Sequence, residues 1–156
     1  MPPEIVFFSR PDGYCAHLNN AFYDYTGLSL RCGEGGGWER ILHPDDRETN
    51  WQRWLLSQSR GEPYALCIRL CSNDGVHRWF LSRSHPLRDE NGDIFLWVGM
   101  SANIEEIIPN ESRRNVAEIR ELAKISTDFS YASEIAIRVN RLASLFSETF
   151  SSLNER

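Results

Sequence analysis

Short apolar runs separated by turn residues fill the first two thirds of the chain. Residues 5–8 and 14–18 flank a Pro-Asp-Gly turn, and this spacing predicts a β-hairpin. Three longer runs follow at residues 64–72, 76–87 and 93–103. Asn-Asp-Gly and Asn-Gly separate them, and these residues supply the positive φ angles of tight hairpins. The pattern therefore predicts five strands, most of them joined as antiparallel neighbours.

The last of these runs is apolar on both faces. Side chains alternate across a strand, so one face carries Phe95 and Trp97 while the other carries Ile94, Leu96, Val98 and Met100. A sheet of this kind has to be covered on both sides. We expect the domain's own helices on one face and a flanking helix or a partner subunit on the other.

Two helices are predicted between the hairpin and the later strands. Asn19 or Asn20 can cap the first through its side-chain oxygen, and Gly27 ends it. The second begins at the His-Pro-Asp-Asp sequence of residues 43–46, since proline suits the first helical position and the aspartates face the positive end of the helix dipole. We expect it to end near Gly61.

The pattern after residue 108 is helical. A linker helix is predicted at about residues 110–125 and an amphipathic helix at about 128–154. In the second, apolar positions step by three and four, which is an a/d seam of about three heptads. The seam residues are Ala132, Ile135, Val139, Leu142, Phe146, Thr149 and Leu153. We expect them to form a dimer interface, with folding back onto the sheet as the alternative.

Composition and charge narrow the function classes. The 156 residues carry a net charge of −5, so they give no basis for a nucleic-acid footprint, which needs a basic patch or stripe. No run approaches the roughly 20 apolar residues of a membrane span, and the N-terminus lacks the features of a signal peptide. We therefore expect a cytoplasmic protein without a membrane partner.

The four cysteines do not have the spacing of a metal site. Cys67 and Cys71 lie on one predicted strand, about 13 Å apart, and cannot share one zinc ion. Cys15 and Cys32 have no motif partner. We expect all four to be reduced, buried and apolar in character, and we expect no metal.

The order of these segments resembles a PAS domain over about residues 4–108. The resemblance is to the subgroup with His-Pro-Asp-Asp before a helix and Arg-Trp followed by Pro-x-x-Asp-x-x-Gly in the sheet, here at residues 43–46, 78–79 and 86–92. It implies an α+β fold, with a five-stranded antiparallel sheet of order 2-1-5-4-3 and short helices on one face. It also implies a sensory domain at residues 1–108, followed by a C-terminal α-helical extension at 109–156.

A PAS domain senses or binds and passes a signal on, and is usually not an enzyme. The resemblance thus implies a sensory or protein-interaction module in intracellular signal transduction, which relays a ligand or partner event to the dimerising C-terminal helices. Its expected partners are a second copy and a downstream signalling protein or effector domain. Where the family often has Asp-Ile-Thr, the signal junction, this chain has Asn103, Ile104 and Glu105. No nucleophile motif or phosphate loop supports an enzyme.

Cofactor subgroups of the family can be compared with the chain. Flavin-binding relatives have a cysteine in the segment that matches residues 38–43, and its absence here argues against flavin adduct chemistry. Heme-binding relatives use a histidine on the long helix, and residues 44–61 contain none, so heme is possible but not favoured. The alternative function is a heme or small-metabolite receptor. Candidate residues for lining a ligand pocket are Trp38, Trp54 and Trp97, with a filled core as the other possibility.

Overall fold

The computed structural model of the chain describes residues 4–108, 110 and 115–125. Its strands are β1 (Ile5–Ser9), β2 (Cys15–Leu18), β3 (Tyr64–Cys71), β4 (His77–Arg88) and β5 (Ile94–Asn103). Its α-helices are α1 (Asn20–Thr26), α2 (Pro44–Arg60) and α3 (Val116–Ile125), and a 3-10 helix spans Gly37–Ile41. No helix of this described part is long and apolar enough to cross a membrane.

The five strands form one antiparallel sheet in the order β2-β1-β5-β4-β3. The expected fold class and strand order are therefore confirmed. Gly27 and Gly61 end α1 and α2 in the left-handed conformation, as the pattern predicted. Helices α1 and α2 and the 3-10 helix lie over one face of the sheet, which we call the inner face. They bury a core against it. That core includes Ile5, Leu18, Phe22, Ile41, Leu66, Ile68, Leu70 and Phe80.

Asn19 has a different role from the one the sequence predicts. It occupies the N-cap position of α1, but its side chain makes no capping hydrogen bond. Instead, its Oδ1 accepts from the Val6 backbone N–H at 3.0 Å, and its Nδ2 donates to the Glu4 carbonyl at 3.0 Å. The expectation of a side-chain cap was therefore wrong. This amide joins the start of α1 to the start of β1.

Helix α3 packs on the outer face of the sheet beside β3. Ile119 and Ala123 are buried there in a cluster, which we call the outer cluster, together with Cys67, Trp79, Ile104 and Ile108. The helix belongs to the same compact unit as the sheet. It is a flanking helix on the outer face, but it lies beside β3. In the described part of the chain, the outer cluster contains no residue of β5, whose two-sided apolar pattern led to the expectation.

The carboxylate of Asp46 connects α2, β3 and α3. Its oxygens accept from the Arg69 guanidinium at 2.6 and 3.0 Å and from the Arg69 backbone N–H at 2.8 Å. Arg120 of α3 donates to the same carboxylate at 3.1 Å. Asp46 is fully buried, whereas the two arginines are partly exposed. The aspartate that the pattern assigned to the helix dipole is thus also the acceptor that holds three elements together.

The arginines determine the protonation state of Asp46. Burial raises the pKa of a carboxyl group, but here the hydrogen bonds and charge of Arg69, with the charge of Arg120, outweigh burial and hold the pKa of Asp46 below its usual value. The group is therefore ionised near neutral pH. Its ion pairs with the two arginines persist at every pH at which the carboxylate stays deprotonated.

Several sequence predictions lie partly or wholly outside the described residues. The linker helix predicted at about 110–125 is described in part, as α3 from Val116 to Ile125. The amphipathic helix predicted at about 128–154 lies wholly outside, together with its seam residues Ala132, Ile135, Val139, Leu142, Phe146, Thr149 and Leu153. The division into residues 1–108 and 109–156 also stays a prediction.

All four cysteines are free thiols, and Cys15 and Cys67 are buried as expected. The expectation of burial was wrong for the other two: Cys71 is only partly buried, and Cys32 is exposed because it lies in the glycine-rich loop before the 3-10 helix.

Replacing Asn19 by alanine removes both hydrogen bonds that its amide makes to β1. We expect the free energy of unfolding to fall by about 1–3 kcal/mol, measured by urea denaturation. Asn20→Ala, one residue further along and exposed, is the matched control and should change it by less than about 0.5 kcal/mol. Equal losses in the two variants would contradict the role assigned to Asn19.

Asp46→Asn removes the charge that pairs with Arg69 and Arg120. We expect a loss of about 2–4 kcal/mol in unfolding free energy at pH 7. This loss is smaller than is usual when a buried ion pair is broken, because the arginines are partly exposed. Since the folded-state pKa is depressed, the wild type should lose this contribution as pH falls below about 4, and the variant should not. Denaturant titrations at several pH values measure this, with the exposed Asp45→Asn as control. A parallel pH dependence in wild type and Asp46→Asn would refute the assignment.

Candidate functional site

A cavity of about 420 Å³ lies between the inner face of the sheet and the helices that cover it. This volume is within the range of pockets for small organic molecules. All five strands contribute residues to the cavity. Helices α1 and α2, the 3-10 helix, the β1–β2 turn and the glycine-rich loop supply the rest of its lining. The aromatic residues that line it are Phe7, Tyr14, Phe22, Trp38, Trp51, Trp54 and Tyr64.

Helix α2 presents three residues to the cavity: Asn50, Trp51 and Trp54. Asn50 and Trp54 are four residues apart and so lie on the same side of the helix. The Trp54 ring makes edge-to-face contacts with Tyr64, at 6.2 Å between centroids, and with Trp97, at 4.8 Å. These contacts fix the orientation of the Trp54 ring in the wall.

The three tryptophans predicted from the sequence occupy two kinds of position. Trp38 and Trp54 line the cavity, whereas Trp97 is fully buried behind Trp54 and supports its ring. Trp51, which the sequence reasoning did not single out, also lines the cavity although half of its surface is exposed. Its position three residues before Trp54 on α2 was the signal that could have identified it.

Three serines of β4 and β5 line the floor of the cavity: Ser82, Ser84 and Ser101. Ser82 and Ser101 face each other on β4 and β5, with their hydroxyls 2.9 Å apart. Ser84 follows on β4 and is paired with Gly99. The Phe7 ring lies over Gly99 so closely that a Cβ atom there would stand 2.0 Å from it, so this strand position requires glycine.

Charge is confined to the mouth of the cavity. Among the lining residues that the structure describes, the charged ones are the exposed carboxylates Asp12 and Glu39. Deeper inside, burial raises the pKa of Tyr64 well above its usual value, so its hydroxyl stays protonated and donates to Asn50 Oδ1. Burial likewise raises the pKa of the Cys15 thiol to about 11. The interior therefore offers neutral polar groups on an aromatic and aliphatic background.

The predicted signal junction lies at the end of β5, beside the start of β4. Ile104 donates its backbone N–H to the Trp79 carbonyl at 2.9 Å, and the Glu105 carboxylate accepts the Trp79 N–H at 2.8 Å. Asn103 Oδ1 accepts from the Glu105 N–H at 3.0 Å. Trp79 in turn lies under the Arg69 guanidinium, 4.9 Å from the ring centroid. The junction thus contacts Trp79 of β4, which is paired across the sheet with Arg69 of β3, the partner of Asp46.

Two histidines that are distant in sequence come together at the start of α2. The rings of His43 and His77 are 4.7 Å apart between centroids, and burial, with the charges of His43 and Arg69, lowers the pKa of His77. His43 Nδ1 accepts from the Asp45 N–H at 3.1 Å and so caps the helix. Neither ring lines the cavity. In the described part of the chain, no three His, Cys, Asp or Glu side chains group closely enough to hold a metal.

Comparison with known proteins finds segments similar to this chain within much longer proteins. The uncharacterized protein y4lL of Sinorhizobium fredii is 29% identical over 104 residues, which cover 67% of this chain and 12% of that protein. The peroxide stress-activated histidine kinase mak1 of Schizosaccharomyces pombe is 30% identical over 105 residues, covering 67% of this chain and 6% of the kinase. This chain therefore corresponds to a small part of each relative.

The fold is also similar to those of solved structures. The N-terminal domain of a diguanylate cyclase with a PAS/PAC sensor from Marinobacter aquaeolei superposes with a TM-score of 0.60 at 17% identity, covering 66% of this chain and 96% of that domain. The family model described as PAS fold matches residues 16–101, more than half of the chain. The chain therefore belongs to the PAS family of sensory domains.

Proposed function

We propose that this domain binds a small organic molecule in the cavity and relays its presence to the helices that follow the sheet. The observation that carries the proposal is the cavity itself, about 420 Å³ in volume, with tryptophans on its walls and neutral polar groups on its floor. A core filled by its own side chains would leave no such volume. Binding of this kind is a sensing function and requires no catalytic residue.

The relay is proposed to run through the two contacts that join the cavity walls to α3. One is α2, which presents Trp54 to the cavity and Asp46 to Arg120. The other is the sheet, because strand β5 leads into the junction residues, of which Ile104 belongs to the outer cluster. A ligand can shift α3 to the extent that it binds the docked and undocked states with different affinity.

The wider context is also part of the proposal. We assign the domain to the subgroup of its family with the His-Pro-Asp-Asp motif, and we propose that residues 128–154 pair two copies through the predicted seam. A cytoplasmic location, a downstream signalling partner or an effector domain, and the absence of enzymatic activity in these residues complete it. The similarity to part of a histidine kinase supports a role in signal transduction.

Native mass spectrometry of the purified chain, compared with its denatured mass, tests binding and self-association together. We expect a dimer whose mass exceeds twice the chain mass by two small organic molecules, one for each cavity, that are lost on denaturation. Leu142→Asp should convert the dimer to a monomer by placing a charge in the seam, whereas Asn140→Asp, off the seam, should not.

The outcomes separate the parts of the proposal. A monomer at tens of micromolar would remove the pairing of two copies. A native mass equal to that of the protein alone, unchanged when small aromatic compounds are added, would refute the proposed ligand-binding function. An added mass together with a Soret absorption band would select the heme alternative in place of an organic metabolite.

A further inference from the structure

Ser84 has a buried hydroxyl group without a hydrogen-bond partner in the structure. The residue is 1% exposed, it lines the cavity, and its Oγ is shielded from solvent. Leaving a hydroxyl group unpaired in such surroundings costs about 1–3 kcal/mol. Buried polar side chains nearly always have a hydrogen-bond partner. An unpaired one at a cavity wall therefore indicates that a ligand in the cavity supplies the missing partner.

The neighbours of Ser84 across the sheet explain why no protein group satisfies it. On β5 the paired residue is Gly99, which has no side chain, and the ring of Phe7 covers it. On β3 the paired residue is Tyr64, whose hydroxyl donates to Asn50. The serine is therefore flanked by an aromatic ring on one side and by an engaged phenol on the other.

Ser82 offers a second hydroxyl two residues away on the same face of β4. It accepts from Ser101 at 2.9 Å, which leaves its own proton available to donate toward the cavity. Residues i and i+2 on a strand are about 7 Å apart. The floor can thus present two O–H donors in a row to the edge of one flat molecule.

The charges of the lining restrict the ligand further. No lysine, arginine or histidine lines the cavity in the described part of the chain, and the carboxylates Asp12 and Glu39 stand at its mouth. An anionic ligand would be repelled at the entrance and would be buried without a counter-ion. The tryptophan rings of the wall favour a planar aromatic body, which they can contact face-on or edge-on.

We infer that the cavity selects an uncharged, planar aromatic molecule that carries a hydrogen-bond acceptor, a ring nitrogen or a carbonyl oxygen, on the edge that meets Ser84. This inference rests on the proposed ligand-binding function and names the chemical class of the ligand. Ser84 is the residue that distinguishes such a molecule from a hydrocarbon of the same shape.

Quinoline and naphthalene provide the direct test, because they have the same shape and differ by one ring nitrogen. Their dissociation constants, and that of 2-naphthoate, are measured by ligand-detected NMR at pH 7 for the wild type, Ser84→Ala and Ser57→Ala. Ser57 is a buried serine of α2 that does not line the cavity, so it is the matched control. We expect Ser84→Ala to weaken quinoline about fivefold to tenfold while leaving naphthalene unchanged.

Ser57→Ala should change neither constant, and 2-naphthoate should bind more weakly than quinoline to every variant. Because Ser84→Ala removes an unpaired hydroxyl, the variant is expected to keep the wild-type thermal midpoint within a few degrees. Equal weakening of quinoline and naphthalene by Ser84→Ala, or tighter binding of 2-naphthoate than of quinoline, would overturn the inference but leave ligand binding intact. Failure of all three probes to bind the wild type, with a bare native mass, would instead overturn the proposed function.

Discussion

The arrangement of this domain depends on one buried carboxylate. Asp46 lies where the first turn of α2, the edge strand β3 and α3 meet, and it accepts hydrogen bonds from Arg69 and Arg120. A buried charge without partners would be too costly to retain, so the aspartate and both arginines have to be in place together. Because α2 also forms a wall of the cavity, the position of that wall and the docking of α3 are subject to the same interaction.

The outer cluster makes the same connection through apolar contacts. Ile119 and Ala123 of α3 pack against Cys67 and Trp79 of the sheet, and Ile104 joins them from the end of β5. The Arg69 guanidinium also lies over the ring of Trp79, and the backbone N–H of Trp79 donates to the Glu105 carboxylate. Packing, charge and backbone hydrogen bonding therefore converge on one corner of the sheet, where a displacement of either face changes the support of α3.

Local patterns predicted the elements of this fold but few of the contacts that matter at its site. Turn residues and alternation located all five strands, and glycine C-caps located the ends of α1 and α2, because these signals depend on neighbouring residues. The strand order came from family resemblance. Asp46 pairs with residues 23 and 74 positions away, and no local pattern encodes such distances. The role of Ser84 could not be predicted from the sequence either, because a serine in a strand has no distinguishing signal until its cross-strand neighbours are known.

Hydrogen exchange at the backbone amides of α3 tests most directly whether Asp46 couples the cavity to this helix. The amides of Val116–Ile125 are compared with and without quinoline, at a concentration that saturates its binding, in the wild type and in Asp46→Asn. The account predicts a several-fold change in exchange rate on binding in the wild type and little or no change in the variant. Unchanged exchange in the saturated wild type, or the same change in both proteins, would contradict it.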